Sequence, residues 1–148
     1  MSRALLLTFI CTVAIAPLHA ETLVSRGYEI HYSIVNTSFL TPAVASAYDI
    51  VRGRDRALLN LSVRRQLPES RTAASAATIR GTVTDLIHRR DLVFTEIREQ
   101  DAIYYLSVLQ FHDQETLYFD IDVITGPDQA PHQLEFRHTF YRDEPDAQ

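Results

Sequence analysis

The chain contains no lysine and no tryptophan, and its one cysteine is Cys11. Without lysine there is no Schiff-base chemistry and no Gly-x-x-x-x-Gly-Lys phosphate loop. All 14 basic residues are therefore Arg, set against 19 acidic residues. Glycine is scarce, at 4 residues, and so is proline, at 6, which argues against collagen-like or low-complexity chain. No hydrophobic run is long enough for a membrane-spanning helix, which needs roughly 20 residues. The longest, Ala4 to Ala16, has 13.

That run follows Arg3 and precedes Leu18-His19-Ala20. A basic residue, a short apolar stretch and a small residue at the cleavage position describe a secretory signal peptide over residues 1–20. Cys11 lies inside the apolar run rather than at its end, so a lipid-anchored cysteine is not expected. The expected mature chain, residues 21–148, is one domain without a thiol. Disulfides, a cysteine nucleophile, cysteine-bound zinc and iron–sulfur clusters are then excluded. A domain of this size buries about two thirds of its unfolded surface and needs no staple. Loss of Arg3 leaves 13 Arg against 19 acids, a net charge of −6. That balance disfavours nucleic acid and anionic membrane surfaces as partners.

Period-2 alternation dominates the remainder. Tyr28, Ile30, Tyr32 and Ile34 alternate with polar residues, the pattern of a half-buried strand. Strands are also expected over residues 57–65, 78–87, 92–98, 102–111, 117–124 and 133–141. Gly81 in mid-strand predicts a bulge or a close backbone approach. Ile103 to Phe111 is apolar on both faces, which predicts a central strand. In the last strand Leu134, Phe136, His138 and Phe140 make the inner face, with His138 expected as a hydrogen-bonded core histidine. Thr41 before Pro42 is a helix start, so one short helix is expected within the connection from Asn36 to Arg56. About seven strands plus this helix predict an all-β, two-layer antiparallel β-sandwich, immunoglobulin-like, with a small barrel as the alternative. Residues 142–148 are polar and expected to fray.

Three segments together carry a family resemblance. They are Asn36-Thr37-Ser38-Phe39-Leu40-Thr41-Pro42, continuing to Tyr48; Arg56-Ala57-Leu58-Leu59-Asn60-Leu61-Ser62-Val63; and Phe94-Thr95-Glu96-Ile97-Arg98-Glu99 with Asp101-Ala102-Ile103-Tyr104-Tyr105. In this order they resemble the Gram-negative bacterial domain-of-unknown-function family 4426. The resemblance implies an exported, periplasmic β protein and implies no activity. It marks Asn36, Asn60, Glu96, Arg98 and Asp101 as candidate polar site residues, along with Thr41, Tyr48, Arg56 and Tyr105. Where the family pattern has glycine between Glu99 and Asp101, this chain has Gln100.

No motif specifies a chemistry. Gly-x-Ser-x-Gly is absent, and no catalytic residue is assigned. His132 and His138 lie six residues apart on one strand, about 20 Å at about 3.3 Å per residue, too far to share a metal. No metal or other cofactor is expected. Asp120 and Asp122 alternate with Phe119, Ile121 and Val123 and read as solvated. Arg52, Arg54 and Arg56 flank Gly53 in a turn, where guanidinium forks match carboxylates or phosphates.

The function expected is a non-enzymatic periplasmic binding module for an envelope protein, or one that self-associates. Its partner-binding residues would be Tyr48 as apolar anchor with Arg52, Arg54 and Arg56 as polar rim. The alternatives are a small-ligand carrier or sensor, and a hydrolase whose site assembles in space.

Overall fold

The computed structural model describes residues 20–143. The signal-peptide reading of residues 1–20 therefore falls outside the described residues, apart from Ala20. Two antiparallel sheets pack face to face. The strands are β1 (Ala20–Ser25), β2 (Tyr28–Asn36), β3 (Arg56–Gln66), β4 (Thr72–Ala74), β5 (Thr78–Thr84), β6 (Arg89–Leu92), β7 (Thr95–Glu99), β8 (Ala102–Gln110), β9 (Glu115–Ile124) and β10 (His132–Phe140). One sheet has the order β1-β2-β3-β8-β7, with β4 also pairing β3; the other has the order β10-β9-β5-β6. The two-layer antiparallel sandwich expected from the alternation is the fold.

Among the described residues ten strands form rather than about seven. The three extra ones, β1, β4 and β6, are short and carry little apolar alternation: β1 and β6 are mostly exposed, and β4 is half-buried throughout. In β6, for example, three of the four residues are charged. The strand expected over 78–87 stops at Thr84 because the Asp85 carboxylate accepts from the backbone N–H groups of Ile87 and His88, both at 2.6 Å. That Asx-type turn reverses the chain into β6. The two N–H donors, His88 first, also hold the Asp85 carboxyl below its usual pKa. Residues 93–94 then carry the chain from one sheet to the other.

The core lies between the sheets. Ile30, Leu59, Leu61, Val63, Leu117, Ile121 and Val123 are fully buried there. An aromatic chain crosses the layers. Tyr32 stacks on Phe136 at 4.6 Å, Phe136 on Phe119 at 4.6 Å, Phe119 meets Phe140 at 6.3 Å, and Phe140 stacks on Phe111 at 4.7 Å. Burial pushes the Tyr32 phenol up to about 12, with its hydrogen bond to Glu21 adding to the shift.

Gly81 marks a close approach and not a bulge. Its pairing stays in regular register on both sides. A Cβ there would stand 3.0 Å from Ile121 Cγ1 and 3.3 Å from Leu92 Cδ1.

The core histidine is His132 instead of His138. His138 is exposed and meets Phe140 edge-on at 4.6 Å. Strand alternation gave the right face, yet on that face His138 is exposed between half-buried Phe136 and buried Phe140. His132 is 2% exposed, with Ser25 Oγ 3.0 Å from Nδ1 and Thr125 Oγ1 3.3 Å from Nε2. Burial, aided by the charge of Arg26, lowers its pKa below the ordinary 6.5. The unfolded chain therefore binds more protons below that value. The His132 contribution to stability is complete above pH 6.5 and is lost as pH falls toward the lowered folded pKa. In His132→Gln, the urea midpoint should fall less between about pH 7 and about pH 5 than in the native chain. Equal falls in the two proteins would refute this.

The β7–β8 turn holds Gln100 at φ 47°. This left-handed conformation costs a residue with a Cβ roughly 1–2 kcal/mol. Glycine removes that strain but loses about 0.5–1 kcal/mol through backbone entropy. Gln100→Gly should therefore raise unfolding free energy by up to about 1 kcal/mol, readable as a higher denaturant midpoint at unchanged slope.

Candidate functional site

The connection from β2 to β3 folds back over the outer face of its own sheet. Thr41 caps helix α1 (Pro42–Ala47), its hydroxyl accepting from Val44 N at 3.3 Å. Tyr48 ends the helix, and Asp49, at φ 53°, turns the chain toward Ile50. Ala45 and Ile50 are buried on Leu58, forming a second apolar cluster with Val35, Leu40, Tyr48 and Leu106.

Strand parity supplies the floor beneath the helix. In β3, Leu59, Leu61 and Val63 point into the core, so Leu58 and Asn60 point outward. The register pairs Asn60 with Leu106, and Ile97 with Tyr104. Helix α1 is too short to cover this face. A groove of about 290 Å³ remains, lined by Leu58, Asn60, Ile97, Tyr104 and Leu106 below and by Val44, Tyr48 and Ile50 above. Asn60 Oδ1 is buried there with no hydrogen-bond partner. An unpartnered buried amide costs about 1–3 kcal/mol, so it is a strong acceptor with an open valence. Beside the groove the Tyr48 hydroxyl donates to Glu99 Oε1 at 2.6 Å. That carboxylate raises the phenol above its usual range.

Of the partner-binding candidates, only Tyr48 lines the groove. Arg52 donates to the Ser38 carbonyl at 2.8 Å, and Arg54 donates through Nε to the Asp143 carbonyl at 2.6 Å. Both guanidiniums thus fasten chain to chain. Arg56 opens β3 opposite Gln110.

The polar residues marked by the resemblance do not form one cluster. Asn36 donates to the Tyr141 carbonyl at 2.9 Å and to Asp143 Oδ1 at 3.0 Å. Ser38 also donates to the Asp143 carboxylate. This set, with Arg54, pins the segment after β10 to the opposite sheet. Asn60 is the one of the five in the groove. Glu96 and Arg98 pair at 2.6 Å on the other face of β7, in register with Tyr105 and Ile103. The Glu96 side chain is 38% exposed, so it is neither fully solvated nor enclosed. The Tyr105 hydroxyl accepts from Ala77 N at 2.7 Å, and burial raises its pKa. Asp101 lies in the β7–β8 turn and lines a separate open hollow with Arg64 and Arg98.

A polar cleft at one end of the sandwich contains Asp85, His88, His112, Glu115, Arg90 and Arg142, with no serine or threonine among its lining residues. Sequence reasoning missed Leu58, Ile97, Tyr104 and Leu106 as site residues. The signal was present: β8 is apolar on both faces, so its outer face needs a cover, and the connection that carries α1 is long enough to supply one.

The model of the family described as "Domain of unknown function (DUF4426)" matches residues 24–143. The chain belongs to the DUF4426 family. A solved DUF4426 family protein from Pseudomonas aeruginosa PAO1 is 27% identical, covers 84% of this chain and 97% of its own, and superposes with a TM-score of 0.69. The same fold occurs in a copper-bound variant of FetP from uropathogenic Escherichia coli strain F11. That protein is 8% identical over 86% of this chain and 94% of its own, with a TM-score of 0.56. As-isolated FetP, expressed in the periplasm of E. coli, gives 10% identity over 84% and 95% with a TM-score of 0.54. At these identities the likeness to FetP is one of fold alone. No curated protein matches the chain.

Proposed function

We propose that this DUF4426 protein is a non-enzymatic binding module of the periplasm. Its groove beneath α1 receives an apolar side chain of an envelope protein partner. One observation carries the reading: the unpartnered Asn60 Oδ1 in an otherwise apolar groove. The occupant is an apolar group bearing one N–H or O–H; a turn of the Asn60 side chain brings Oδ1 to the groove to accept from it, while the occupant covers Leu58, Ile97 and Leu106. Tyr48 and Tyr104 form aromatic walls of the kind that anchor interfaces. Glu99 beside the groove disfavours an anionic occupant. Location in the periplasm rests on the signal-peptide pattern of residues 1–20.

A small-ligand carrier is the second reading and uses the same groove. Shape favours the first. Small-ligand pockets enclose about 70–90% of the ligand's surface, whereas this groove is open along one side and suits a side chain presented from outside. Copper binding of the kind named for FetP gains no support. Among the described residues, no group of three or more His, Cys, Asp or Glu is placed to hold a metal.

The test is in-cell crosslinking from Val44, which lies 42% exposed on the groove wall. One envelope protein should be enriched over an unrelated tagged control, and the enrichment should vanish in Asn60→Leu. Enrichment that survives Asn60→Leu places the contact elsewhere. No enrichment, with a melting temperature raised in proportion to saturation by a small neutral apolar compound, supports the carrier reading instead.

A further inference from the structure

Strand β10 ends its sheet and pairs only with β9. It is nine residues long, with no proline, bulge or covering helix to blunt it. Long open edges are templates for another strand. The chain near both ends of β10 is already tied down. Arg26 donates to the carbonyls of Ala130 and Pro131, each at 2.8 Å, and Asn36 holds the Tyr141 carbonyl. The middle remains open.

We propose that β10 pairs antiparallel with β10 of a second copy of this chain, centred on Phe136. This inference concerns the opposite sheet and does not rest on the groove. A symmetric antiparallel pair must keep the outward-facing residues Gln133, Glu135, Arg137 and Thr139 on one face. Centred on Phe136, it sets each Glu135 opposite Arg137 of its mate, and Gln133 opposite Thr139. Sliding the centre to either neighbouring allowed position sets Glu135 opposite Glu135, or Arg137 opposite Arg137. Charge therefore selects one register.

The isolated chain leaves these charges unused. Glu135 lies directly across from Asp120, a like charge, and Arg137 across from Tyr118. Among the described residues neither Glu135 nor Arg137 makes an ion pair, while Asp120 is engaged by Arg89 at 3.6 Å. A mate's Arg137 would relieve the Glu135–Asp120 repulsion. The other edges fit less well: β6 has only four residues, and its Arg89 is already engaged by Asp120. The one charged residue of β1 is Glu21. In β7, Glu96 and Arg98 already pair with each other, and Glu99 holds Tyr48.

Sedimentation velocity across a wide concentration range tests the pairing. The native chain should dimerise reversibly. Glu135→Arg or Arg137→Glu alone places two like-charge pairs in the interface and should weaken association about tenfold or more. The double reversal Glu135→Arg with Arg137→Glu should restore it. Both sites are exposed, so native circular dichroism in each variant excludes misfolding. A monomeric native chain, single variants that dimerise as tightly as native, or a double reversal that fails to restore association would each overturn the proposal.

Discussion

Phe119→Ala should lower the unfolding free energy by about 3–5 kcal/mol. Phe119 is 2% exposed and sits at the middle of the aromatic chain that joins the layers. It lies 4.6 Å from the Phe136 ring, nearly parallel at 7°, and 6.3 Å from Phe140. Removing the ring leaves both partners facing a void. The backbone on either side is held by regular pairing to β5 and β10, so the site relaxes little. A domain of this size is stabilised by only about 5–15 kcal/mol, so the loss is a large fraction. The melting temperature should fall by roughly 10–20 °C. A fall of only a few degrees would show that the sheets close over the void.

The second large effect has the opposite sign. Asn60→Leu should raise the unfolding free energy by about 1–3 kcal/mol while abolishing capture of the partner. Leucine has nearly the shape of asparagine. It replaces an unpartnered amide with an apolar group among Leu58, Ile97 and Leu106. Folding gains because the amide no longer loses water without compensation. Binding fails because the occupant's donor then meets no acceptor. Opposite changes in stability and binding at one residue separate a site from a structural fault. A fall in melting temperature would mean that the folded chain satisfies the amide, and the groove would lose its claim as the site.

Much of this was legible in the sequence because a strand's period is 2. Leu117, Phe119, Ile121 and Val123 declare the inner face of β9 with no knowledge of their neighbours. Thr41 and Pro42 likewise mark the start of α1, since capping is decided within one turn. The resemblance to family 4426 was carried by contiguous segments, and the family match over residues 24–143 agrees with it. The short strands β1, β4 and β6 escaped because none of them buries a full face, so none needs an apolar signature.

The site was less legible because it is made by cancellation across distant segments. Asn60 is one of several polar residues on the outer face of β3. Only the packed structure buries its side-chain oxygen without giving it a partner. The arginine turn showed its charge but not that Ser38 and Asp143, the latter 89 residues beyond Arg54, would take up its donors. The sequence by itself determined the alternation, hence which residues face the core, together with the helix start and the family. Only the tertiary structure decided which polar atoms go unpartnered. Hydrophobic periodicity is a local property, whereas hydrogen-bond satisfaction depends on what the rest of the chain brings within about 3 Å.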